Sequence, residues 1–125
     1  MHLVDLFRDP ELTGLDALLA DQVRFRSPYA DYAGRDEVGH LFGLVRQVLV
    51  ELRPTLQLSD GARTVTMFDA RVPGEQHARV PGERVQGVLY EQHDDSGRVI
   101  DAMLTLRPYA GLRAAMRAMQ ELMAE

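Results

Sequence analysis

Hydrophobic positions change period part-way along the chain. Leu3, Val4, Leu6 and Phe7 cluster ahead of Asp9-Pro10, where an aspartate can cap and a proline can open a new helical turn. Leu12, Leu15, Leu18 and Leu19 then recur at helical spacing, with Thr13 and Asp16 in the positions of a capping box. Val23 to Ser27 alternates apolar and polar residues up to Pro28 and reads as a short strand, followed by the loop PYADYAG. From Arg35 to Val50, the positions Val38, Leu41, Phe42, Val45, Val48 and Leu49 trace one face of a helix that Gly39 and Gly43 interrupt.

Beyond Pro54 the period becomes that of strands. Leu56 and Leu58 lead into the turn Ser59-Asp60-Gly61, and three further strand candidates follow: TVTMFDARV, VQGVLYEQ and RVIDAMLTLR. The last two are joined by Asp94-Asp95-Ser96-Gly97. Leu112, Ala115, Met116, Met119, Leu122 and Met123 then place an apolar stripe on a closing helix after Pro108. Helices first and an antiparallel meander afterwards is the α+β order, in which one sheet face packs on the helices. Met67, Val85, Leu89 and Met103 are expected on the opposite face, where they call for a partner subunit.

The segment ARVPGE occurs twice, at Ala70 to Glu75 and at Ala78 to Glu83. Each copy centres on Pro-Gly, which suits a type II turn. One hairpin has one tip, so one copy is read as a surplus turn or an extended loop.

The composition of 125 residues bounds function more than it names it. One domain spanning 1-125 is expected, long enough to bury a core. A net charge of −5 argues against nucleic-acid and anionic-membrane partners, which need clustered cations. No cysteine is present, so disulfides and thiol chemistry are excluded. All basic residues are arginine, a bias that a GC-rich bacterial genome would produce. The opening MHLVDLFRDPELTG lacks the basic region of a secretory signal, and a cytoplasmic location is expected.

Taken together, LLADQVRFRSP, YAGRDEV, ARVPGERVQGV and SGRVIDAMLTLRP resemble the SnoaL-like branch of the nuclear transport factor 2-like superfamily. The resemblance covers most of the chain. It implies a cone-shaped fold, with a curved antiparallel sheet wrapped around N-terminal helices and closed by a C-terminal helix, an internal pocket and a homodimer. That superfamily includes polyketide cyclases, ketosteroid isomerases and limonene epoxide hydrolases, alongside pocketed proteins without catalysis, so the fold leaves the chemistry open. Cyclase-like members carry histidine, tryptophan and aspartate on the last strand where this chain has Ala102, Met103 and Leu104. Epoxide hydrolases carry an arginine and an aspartate two apart on a central strand. Asp69 and Arg71 occupy that place in reversed order, and the repeat makes Arg79 an equal match to Arg71.

Candidate catalytic residues follow from carboxylate chemistry. Asp69 and Arg71 share a strand face at period two, either lining a pocket together or forming a solvated pair. Asp101 lies amid VIDAML, where burial would tune a carboxyl for proton transfer, although the apolar alternation of Ile100, Ala102, Leu104 and Leu106 turns it to the other face. Tyr29 and Tyr32 are candidate ligand-binding residues at a cavity mouth, against the commoner role of anchoring packing. Met116, Met119 and Met123 read as core, with an adaptable lid as the alternative. His40, His77 and His93 show no metal-helix spacing, and neither a metal nor another cofactor is expected. Two readings remain: a small-molecule-binding domain with an apolar pocket, acting as a cofactor-independent isomerase, cyclase or hydrolase on a small hydrophobic metabolite, or a noncatalytic dimeric module whose cavity is filled.

Overall fold

The computed structural model describes residues 1–9, 11, 14–74 and 82–124. Two short helices, α1 (Leu3–Phe7) and α2 (Leu15–Leu18), open the chain, followed by β1 (Leu19–Arg26), β2 (Asp31–Ala33) and α3 (Arg35–Val48). Four long strands come next, β3 (Val50–Asp60), β4 (Arg63–Val72), β5 (Glu83–His93) and β6 (Val99–Arg107), and α4 (Tyr109–Met123) closes the fold. The architecture is α+β, with a curved six-stranded sheet in the order β2-β1-β6-β5-β4-β3.

Strands β3 to β6 form the antiparallel meander, and β2 adds antiparallel to β1. The β1 to β6 pairing is parallel, so the sheet is mixed rather than wholly antiparallel. No turn joins these two strands, so local turn chemistry carries no sign of the pairing. The second helix is shorter than its leucine spacing predicts, because Leu19 already lies in β1. Thr13 falls outside the described residues. Within the predicted loop after Pro28, Asp31–Ala33 pairs with β1 as an edge strand. Pro54 lies inside β3 rather than before it, at a register shift on the other edge of the sheet, where the missing N–H breaks no inner ladder.

The core lies between the helices and one sheet face. Phe42 of α3 meets Phe25 of β1 and Phe7 of α1 edge to face, with ring centroids 4.8 and 5.2 Å apart. Phe68, Leu89, Ala102 and Leu104 supply the sheet side. Close approaches rely on two glycines. A Cβ on Gly87 would fall 2.1 Å from the Phe68 ring, and one on Gly111 would fall 2.4 Å from Val85 Cγ1.

The opposite sheet face exposes Leu56, Leu58, Val65, Met67, Val88 and Met103. Met67 and Met103 are therefore where their alternation places them. Val85 and Leu89 are not: both are buried against the helices. VQGVLYEQ has apolar residues in both phases, and a glutamate, Glu91, continues the inward phase of Val85 and Leu89, so hydrophobic alternation alone selects the wrong face.

Candidate functional site

An apolar pocket opens between α3, α4, β6 and the segment from Ser27 to Tyr32. Leu41, Val45 and Val48 form the α3 wall, while Leu104 and Leu106 form the sheet wall. The α4 wall includes Ala115, Met116, Met119 and Met123, so the methionine stripe faces the pocket, and of the three only Met119 also packs against the core, Met123 being half exposed. About 60 Å³ is open to the centre of a water molecule, room for several waters. Ser27, Tyr29, Tyr32 and Gln120 supply its polar side chains, and among the described residues no carboxylate, histidine or arginine lines it. The mouth segment is held in shape by Ser27, whose Oγ accepts from the backbone N–H groups of Tyr29 and Ala30 at 3.1 and 3.0 Å.

Asp69, Arg71 and Asp101 lie on the other side of the sheet. In β4 the buried residues Phe68, Ala70 and Val72 alternate with Met67, Asp69 and Arg71. Asp69 and Arg71 share a face as expected, yet each pairs across to β3: Asp69 accepts from Arg53 at 3.2 Å, and Arg71 donates to both Glu51 oxygens at 3.1 and 3.2 Å. Hydrogen bonding and then the charge of Arg71 hold the Glu51 carboxyl below its usual range. Asp69 also borders a shallow groove with Thr55, Gln86, Val88 and Arg107. Asp101 alternates with the buried Ala102 and Leu104 and accepts from Arg26 at 3.0 Å, leaving Asp101 Oδ1 and Arg26 Nε buried without a hydrogen bond. Arg79 and His77 lie outside the described residues, and His40 is exposed.

Comparison with solved structures gives a steroid delta-isomerase from Pseudomonas aeruginosa at 32% identity, covering 98% of this chain and 84% of the isomerase, with a TM-score of 0.81. The chain belongs to the nuclear transport factor 2-like superfamily. Two more distant structures share the superfamily fold. An NTF2-like protein of unknown function from Burkholderia pseudomallei is 20% identical over 90% of this chain and 91% of that one, with a TM-score of 0.71. A candidate SnoaL-like polyketide cyclase from Jannaschia is 14% identical over 88% and 77%, with a TM-score of 0.64. No protein-family model and no curated protein matches the chain.

This superfamily member also carries a polar cluster that sequence spacing did not reveal. Glu91 of β5 is fully buried on the helix side of the sheet. Its Oε1 lies 3.1 Å from His2 Nδ1 and 2.8 Å from His93 Nε2. Leu3 N–H donates to its two oxygens at 3.1 and 3.3 Å. The cluster unites the first residues of the chain with a strand end about ninety positions away, a separation that no local motif spans. The one sequence signal was the charge at position 91 in the inward phase of a buried strand.

Proposed function

We propose that the chain binds a compact, uncharged, largely apolar small molecule in the pocket between α3 and α4. The lining carries this reading: apolar side chains form the walls, and a few hydroxyl and amide groups are available to orient a ligand oxygen. Tyr29 and Tyr32 are assigned as the orienting groups at the mouth. Unbranched methionines on α4 let the walls adjust to ligands of different outline. Acid-base turnover inside this pocket finds little support, because proton transfer needs a titratable group within hydrogen-bonding reach of the ligand, and the three catalytic candidates occupy the opposite sheet face. A homodimer assembled through that apolar face belongs to the same proposal.

The chain has no tryptophan, so a Met123→Trp variant gives a single fluorescence reporter at the pocket. Titration with 1-naphthol, an uncharged aromatic with one hydroxyl, should change its emission with a dissociation constant in the micromolar range. Adding Ala115→Leu, which pushes a side chain into the pocket, should weaken binding at least tenfold, while Asp69→Asn should leave it unchanged. Binding that ignores Ala115→Leu overturns the proposal. A steroid ketone in the same assay tests whether the ligand class in the Pseudomonas isomerase's name extends to this chain.

A further inference from the structure

The cluster around Glu91 has more hydrogen-bond acceptors than neutral side chains can satisfy. His93 stands between two acceptor oxygens: its Nδ1 lies 2.9 Å from the Gly97 carbonyl, and its Nε2 lies 2.8 Å from Glu91 Oε1. Neutral imidazole carries one N–H. With that hydrogen on Nδ1 for Gly97, the Nε2 lone pair faces a carboxylate, and the contact is attractive only if a proton or a metal ion lies there. A carboxylate with no solvent exposure also needs a compensating charge, and among the described residues no arginine pairs with Glu91.

We propose that His2 Nδ1, Glu91 Oε1 and His93 Nε2 form a binding site for a divalent transition-metal ion, zinc being the expected occupant. The three atoms all lie within 4.8 Å of one another. Zinc distances of about 2.0 to 2.2 Å put tetrahedral ligands ~3.3 to 3.6 Å apart, so the separations from Glu91 Oε1, 3.1 and 2.8 Å, must widen and the two histidine nitrogens close around the ion as it enters. Two nitrogens and one oxygen suit zinc and its neighbours better than calcium or magnesium, which take sets of oxygens. The surroundings also orient the ligands. The Gly97 carbonyl 2.9 Å from Nδ1 favours the tautomer that presents Nε2 to an ion, the arrangement found at histidine ligands. His2 is one-third exposed, which leaves an approach from solvent and a fourth position for water. Binding replaces the proton shared by His93 and Glu91, and that proton passes to the buffer.

Untagged protein titrated with zinc chloride by calorimetry near neutral pH is expected to bind one ion with a dissociation constant of micromolar or below. The heat should vary between buffers of different ionisation enthalpy, as proton release requires. His2→Ala removes a partly exposed ligand and should weaken binding at least tenfold with an unchanged circular dichroism spectrum. Nitrogen NMR of the intact chain supplies a readout that needs no variant: zinc should shift His2 Nδ1 and His93 Nε2 while the His93 Nδ1–H is retained. Absence of binding at 100 µM zinc overturns the proposal. Binding that survives His2→Ala, or that shifts His2 alone through chelation with the terminal amine, overturns it equally.

Discussion

At the scale of single residues, the same substitution should have opposite signs at two glycines, because one helix has room for a Cβ and the other does not. Gly39 lies within α3, and a Cβ there would meet Leu15 and Leu19 at ordinary contact distances of 3.8 and 3.9 Å. Gly39→Ala should therefore stabilise the protein by about 0.5 to 1 kcal/mol through helix propensity. At Gly111 in α4 the same propensity gain meets Val85 Cγ1 at 2.4 Å and the Arg84 carbonyl at 3.0 Å, and overpacking of about 1 to 3 kcal/mol outweighs it. Urea denaturation of the two variants should move the midpoints in opposite directions. The Glu51 pair adds a pH signature. Its folded-state pKa is lowered, first by the Arg71 hydrogen bond, so its contribution is present above the unfolded carboxyl value and is lost as pH falls through the folded one. Melting temperatures of wild type and Glu51→Gln should differ slightly at pH 7, in favour of wild type, and converge below about pH 4, an exposed pair being worth little at any pH.

At the scale of elements, the hairpin between β4 and β5 tests the reading of the repeat. Val72 pairs with Glu83, so residues 73–82 connect the strands, and deleting residues 71 to 78 leaves ARVPGERV with one Pro-Gly between the paired positions. The deletion is even, so strand alternation is kept. Shorter loop closure contributes roughly 1 kcal/mol in favour. Opposing it, an L-proline turn of type I or II has the wrong twist for a two-residue hairpin. The shortened chain should fold with the same circular dichroism spectrum and a melting temperature within a few degrees of wild type; failure to fold would make the second copy structural. Elements with a single apolar phase were legible in sequence: the α3 stripe and the α4 stripe after Pro108. Strand β5 was not, since Leu89 and Tyr90 are both large and apolar and the inward phase reaches Glu91, a charge explained by His93 two residues on and by His2 from outside the strand. The pocket was half legible for a similar reason. Tyr29, Tyr32 and the methionine stripe stand out locally, whereas the sheet face to which Asp69 and Asp101 belong depends on the phase of whole strands.

At the scale of the whole molecule, the amount of exposed surface bears on assembly. The chain exposes 7591 Å², against the roughly 6,700 Å² expected of a compact monomer of 14.0 kDa. An interface of standard size takes ~800 Å² from each partner, which the outer sheet face would have to supply. Its apolar part is concentrated, because β-sheet register sets Leu58 opposite Val65, Leu56 opposite Met67, and Met67 opposite Val88. Val65, Met67 and Val88 are 38%, 44% and 37% exposed, a contiguous patch with an inward-facing core already satisfied on the other side of the same strands. In a two-fold dimer this patch would meet its own copy, so a single substitution acts twice. Met67→Glu would bury two like charges near the axis, and a cost of about 3 kcal/mol corresponds to a dimer constant weakened at least a hundredfold. Sedimentation equilibrium at tens of micromolar should give about twice the chain mass for wild type and the chain mass for Met67→Glu, both with native circular dichroism. The variant should also bind 1-naphthol as before, because the pocket between α3 and α4 lies across the sheet from Met67. A monomeric wild type at those concentrations would reject assembly through this face.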